Sequence, residues 1–232
     1  MVKREVTFVP GMYKIFDEIL LNVAGMQQQD PKMATIEINI KPGVNTISVM
    51  NNGKGIPVEM LTEENMYVPT FNFGHLSSGG DLSTNSNCDK HEAEETFQQN
   101  WFGAKLCNIF SKKFTVETAD NMKTFRQTWS SNMSVTSEPM VEDLPGEEFT
   151  KVTFQPSLTR FGLSRLDPDL VAIISRRAFD IAATLRGVEE VYLNGKKIPV
   201  NSFKDYVDLF TKNELDDAGN ALEVIYDQCS DR

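Results

Sequence analysis

Few cysteines, few histidines and no long apolar run set the first limits on this chain. Cys88, Cys107 and Cys229 are odd in number, scattered and without CxxC spacing, which argues against a disulfide framework or a zinc site. They read as reduced thiols, with Cys107 inside a helix core. His75 and His91 have no Ser-His-Asp or His-rich pattern around them, so neither points to nucleophilic relay or metal chemistry. No stretch reaches the roughly 18 uncharged apolar residues of a membrane span. Residues 1–11 lack the apolar core and cleavage site of a secretory leader, so an intracellular protein with no membrane partner is expected. Positive charge is also short: 33 acidic against 23 basic side chains give a net charge of −10. Such a segment lacks the basic face that phosphate neutralisation along nucleic acid requires, and a link to DNA would come from elsewhere in a longer protein. Internal repeats are missing too. The 232 residues, 40% hydrophobic, suffice for one large core and the start of a second.

The stretch of most interest is 13–22, YKIFDEILLN. Ile15, Phe16, Ile19, Leu20 and Val23 recur at helical spacing and predict a helix pressed onto a core along one side. Glu18 and Asn22 flank that stripe one turn apart. A carboxylate beside apolar packing is partly desolvated and suits a general base, and a neighbouring amide oxygen can ligate a hard cation. A solvated helix edge would carry the same pair, since polar residues at i, i+4 are routine on exposed faces.

Residues 5–10 read as a short β-like lead broken by Pro10-Gly11. Residues 34–41, ATIEINIK, alternate strictly and predict a half-buried strand, with 46–50 returning as its antiparallel partner after Pro42-Gly43. The loop 51–57, NNGKGIP, combines two asparagines, two glycines and a proline: either a turn, or a place where backbone approaches a ligand. Residues 77–96 are polar and aperiodic, the profile of a functional or disordered loop. They run into a helix at 102–111, whose N-terminus would attract anions. Strands follow at 113–118, 124–129 and 150–155, with a proline- and acid-rich link at 138–148. Asp167-Pro168 caps a long helix, Asn194-Gly195 closes a tight hairpin, and 202–210 form a further short helix. Helices plus a mostly antiparallel meander imply an α+β two-layer sandwich.

These segments together resemble the N-terminal ATPase domain of eukaryotic type IIA DNA topoisomerase (topoisomerase II), a GHKL ATPase. The matching stretches are VPGMYKIFDEILLN at 9–22, DPKM at 30–33, NNGKGIP at 51–57, MYVP at 66–69, FGAKLCNIFSKKFTVET at 102–118 and FQPSL at 154–158, in family order. The resemblance implies the GHKL (Bergerat) sandwich, a mixed but mostly antiparallel sheet with helices on one face, over 1–200. Residues 201–232 would begin a transducer-like region. It implies ATP and Mg2+ as cofactors, ATP hydrolysis driving DNA strand passage in the full-length protein, DNA contact through other domains, a homodimer and a nuclear location. Residue by residue, Glu18 would activate the attacking water, and Asn22 would hold the Mg2+. Asn52 would accept from the adenine amine. Asn85, Ser86 and Asn87 look like the family's Ser-Ser-Asn near ribose and phosphates. The phosphate-binding lid would comprise Gln98, Gln99, Asn100, Trp101, Phe102, Gly103, Ala104 and Lys105. Such chemistry needs mainly positioning, a cation and a donor cradle.

The chain also departs from the family pattern. The lid reads GGRNGYGAK in the family and FQQNWFGAK here at 97–105, so three of four glycines and the arginine are replaced. Glycines there permit left-handed backbone and let bare N–H groups reach phosphates. After its asparagine the family has Ala-Ala-Asp-Asn, where this chain has Val23, Ala24, Gly25 and Met26, and residues 76–84 lengthen the approach to the lid. The family's transducer lysine and tyrosine-bearing cleavage core are not within these residues, so this segment alone cannot pass DNA through DNA. A degenerate homologue serving only as a binding module is therefore the alternative expectation.

Overall fold

The computed structural model describes residues 3–76, 92–212, 214, 215, 219–222, 224, 225 and 227, and of residues 92–100 the backbone only. Helix α1, Pro10–Gln29, opens the fold, with its proline at the first turn where no backbone donor is needed. The β-like lead expected at 5–10 forms no strand; it is chain without regular structure up to α1. Strands β1 (Thr35–Lys41) and β2 (Thr46–Asn51) pair as the predicted hairpin, turned by a short 3-10 segment and by Asn45 at φ 49°. A small hairpin, β3 (Met60–Leu61) with β4 (Met66–Tyr67), leads into α2 (Val68–Gly74).

Helix α3 runs Glu92–Ile109 and is followed by β5 (Ser111–Asp120), β6 (Lys123–Ser130) and β7 (Val135–Thr136). The acidic link expected at 138–148 contains a further strand, β8 (Met140–Asp143), because β6 offers it a free edge between Lys123 and Arg126. Strand β9 (Glu148–Pro156) comes next, then α4 (Pro168–Thr184), β10 (Glu190–Leu193), β11 (Lys196–Lys197) and α5 (Phe203–Thr211). Asp167 caps α4 as predicted, its carboxylate accepting from Leu170 N–H at 2.8 Å.

Nine of the strands form one sheet in the order β11-β10-β1-β2-β9-β5-β6-β7, with β8 on the edge of β6. Among the described residues only β1 and β10 run parallel, which makes the sheet mixed but mostly antiparallel. Register places the buried side chains in rows across it. Ile40, Ile47, Phe154, Phe114 and Trp129 form one row, and Ile38, Val49, Val152, Val116 and Gln127 the next. A third runs Ile36, Asn51, Thr150, Thr118, Phe125 and contains most of the polar members. Glu37, Ser48, Lys151, Glu117 and Arg126 point the other way. One face therefore carries α1, α3 and α4 over a single apolar cluster, the two-layer sandwich expected from the sequence. Asp17 on α1 accepts from Arg177 of α4 at 2.7 Å and ties the two helices together. Tyr206 of α5 donates to Asp180 of α4 at 2.6 Å, so α5 rests on α4.

Asp120, at the end of β5, fastens the 52–58 loop to the sheet. Burial pushes its carboxyl up, but the N–H groups of Val58, Lys123 and Met122 outweigh that and hold it below the usual carboxylate value. A depressed native pKa adds stability above the unfolded value of about 3.9 and loses it as pH falls through the native one. Asp120→Asn is expected to cost on the order of 1 kcal/mol at neutral pH, held down by solvent screening. In urea titrations the gap to wild type should close in acid; a gap that persisted at pH 2 would assign the loss to packing instead.

Candidate nucleotide site

The polar row of the sheet meets α1 and α3 at one place. Ile47, Val49 and Asn51 share a strand face, so Asn51 points inward, while Asn52 has the opposite parity and lies exposed. Asn51 is 1% exposed, and its amide oxygen accepts from Gly53 N–H at 3.1 Å. Asn52 instead accepts from the N–H groups of Ala34 and Thr35 at 3.0 and 2.8 Å, pinning the start of β1. Asn52, expected from the resemblance to face the base, thus points away from the cavity that Asn51 lines. Asn51 is the amide in the cavity, and strand parity was the signal available to find it. Beside it Thr150 and Thr118 stand 3.0 Å apart, with Thr118 Oγ1 accepting from Ile56 N–H at 2.9 Å.

On α1, Asn22 is 6% exposed, and its amide nitrogen has no hydrogen-bond partner among the described residues. Glu18, one turn earlier, is drawn to Lys14 at 2.5 Å and abuts α3. A methyl group added at Gly103 would fall 1.8 Å from the Glu18 carboxylate oxygen, so the glycine is what lets the acid and α3 share this space.

The lid differs from its expected form. Residues 92–96, expected to close a long loop, and Gln98 to Lys105, expected as a phosphate-binding lid, all lie inside α3. With three of the family's four glycines replaced, the left-handed backbone of an open loop is no longer favoured there, and in a helix interior the backbone N–H groups are spent on carbonyls four residues back. The anion-attracting terminus expected near residue 102 consequently does not exist there. Within that stretch Phe102 is exposed and Ala104 buried. Lys105 holds its ammonium 4.9 Å over the Phe71 ring, and partial burial lowers its pKa. For Gln98, Gln99 and Asn100 the backbone alone is described; Asn85, Ser86 and Asn87 lie outside the described residues, as do Cys88, His91 and Cys229. Cys107 is a buried free thiol, as expected.

Trp101 is the surprise. Its indole is 3% exposed and packs edge-on to Phe73 with ring centroids 4.6 Å apart. With Ile19, Asn22, Met26, Asn51, Thr150 and others it leaves a cavity of only about 10 Å³, room for one water at most. Beyond Met26 the site opens into a cavity of about 400 Å³ bounded by Gln29, Asp30, Asp120 and the loop from Gly53 to Pro57. Asp30 accepts there from Lys54 N–H at 2.7 Å.

No protein-family model matches the chain. Individual relatives do. DNA topoisomerase 2 of Drosophila melanogaster is 50% identical over 234 residues, which is 100% of this chain and 16% of that protein. Human DNA topoisomerase 2-beta is 51% identical over 231 residues, 99% of this chain and 14% of that protein. Among solved structures, the ATPase and transducer domains of DNA topoisomerase II from Balamuthia mandrillaris match with a TM-score of 0.80 and 49% identity, covering 92% of this chain and 54% of that one. The chain is homologous to the ATPase region of DNA topoisomerase II. The ATPase region of the Saccharomyces cerevisiae enzyme agrees, with a TM-score of 0.78 and 44% identity over 91% of this chain and 55% of that one. The chain thus spans about a sixth of the curated topoisomerase II relatives and about half of the solved ATPase regions. At 22% identity and a TM-score of 0.65, the gyrase B ATPase domain of Thermus thermophilus shares the GHKL fold.

Proposed function

We propose that the chain is the nucleotide-binding part of a type IIA DNA topoisomerase, taking ATP between α1, the β2–β9 region and α3. In the whole protein, a nuclear homodimer, hydrolysis would be coupled to DNA strand passage through domains beyond these residues. The observation that carries this reading is the convergence of Asn22 and Asn51, both buried and both lining one cavity, with Glu18 a turn away against α3. Asn51 would present its amide to the base edge. The half-buried Lys105 would gain from an anionic phosphate nearby, since its ammonium is partly stripped of water. Glu18 would orient and deprotonate the attacking water.

Mg2+ takes one or two protein oxygens, keeps several waters and relies on substrate phosphates for the rest. No group of three acidic, histidine or cysteine side chains is gathered among the described residues, and the amide oxygen of Asn22 meets that sparse demand. When bound, the cation would neutralise charge on the phosphate oxygens.

A second reading, a binding module without turnover, is favoured by one observation: residues 98–105 are helix, so their N–H groups form no phosphate cradle. Calorimetric titration with ATP and Mg2+ tests the first. One-site saturable binding is expected, weakened about tenfold by Asn51→Ala if one hydrogen bond to the base is lost. Absence of saturable binding, even after Trp101 is replaced by glycine, would overturn the nucleotide reading.

A further inference from the structure

We infer that Trp101 sets the nucleotide affinity of this site by acting as an internal occupant of its base pocket. The inference rests on the nucleotide reading above. Indole and purine are both planar fused six-five ring systems, and a pocket that accepts one flat bicycle between apolar walls accepts the other. Trp101 lines this cavity together with Ile19, Val23, Val49 and Val152 and the amide of Asn51. Those groups give a purine what it needs: apolar faces and a polar edge. The residual volume of about 10 Å³ cannot admit a base while the indole remains.

Ligand binding therefore requires the indole to leave. Trp101 sits on α3, whose Asn108 donates to the Phe73 carbonyl at 3.0 Å and anchors the C-terminal half of the helix. The movement falls on the N-terminal half, before Gly103 where α3 crosses Glu18. Affinity is then the intrinsic affinity multiplied by the fraction of molecules with the indole out. Glycine at 101 removes the competitor and loosens the helix at the same point.

The chain has two tryptophans, so Trp129→Phe leaves Trp101 as the sole indole reporter. Three measurements test the inference: ATP affinity with Mg2+ for wild type, Trp101→Gly and Trp101→Ala; circular dichroism for folding of each; and Trp101 emission in Trp129→Phe across an ATP titration. The expected result is an affinity gain of at least about tenfold in the folded Trp101 variants. Emission of Trp101 should shift to longer wavelength in step with saturation as the ring meets water. Equal or weaker affinity in a folded variant, or emission unchanged at saturation, would overturn the inference and leave the nucleotide reading standing. If neither variant folds, the emission titration alone decides. No ATP binding in any of the proteins would overturn both.

Discussion

Gly55→Ala is expected to destabilise the protein by about 2–5 kcal/mol, combining left-handed backbone strain with steric overlap. Gly55 has φ +77°, and a methyl group there would lie 1.8 Å from the carbonyl oxygen of Ala119 on β5 and 2.7 Å from its carbon. That obstacle is backbone in the sheet and cannot swing aside as a side chain would. Relief would require the loop to lift, breaking the bonds from Ile56 N–H to Thr118 and from Val58 N–H to Asp120, at 2.9 and 2.8 Å. Urea denaturation should show a lower midpoint with little change in slope. A loss below about 1 kcal/mol would mean that the loop relaxes freely and is not seated against β5.

Glu18→Gln is expected to lower ATP turnover by about 10²-fold or more, the span over which a positioned general base acts. Nucleotide affinity should stay within a few-fold, since glutamine keeps the shape and loses only the capacity to take a proton. The position suits the role. Glu18 stands on a helix whose other face is core, its side chain 19% exposed, so water reaches it from one side. Lys14 and the backbone at Gly103 hold it there. Phosphate release at saturating ATP is the measurement. Unchanged turnover would remove Glu18 from the chemistry, and turnover undetectable in the unsubstituted protein would favour the binding-module reading.

Strands and hairpins were legible because period-two alternation and Asn-Gly or Pro-Gly punctuation are local signals. Residues 34–41 became β1 at Thr35–Lys41, and Asn194-Gly195 adopts positive φ at both positions. β8 was hidden in an acidic, proline-flanked stretch because its partner edge on β6 exists only once the sheet has formed. The helical state of residues 98–105 was not legible from the resemblance, which supplied the family's loop, whereas the residues present lack three of its four glycines and lie inside α3. Asn51 was within reach, since its parity with Ile47 and Val49 already placed it inside.

By itself the sequence determined the kind of fold, the helix bearing Glu18 and Asn22, and the kinship with topoisomerase II. Each rests on patterns or motifs written in neighbouring residues. The tertiary structure alone decided what fills the cavity beside Asn51. Trp101, Phe73 and Asn51 are far apart in the chain, and their meeting depends on how α2 and α3 pack over the sheet. Volume is a property of that packing, so whether the acid and amide of α1 face a nucleotide or an indole could be read only in three dimensions.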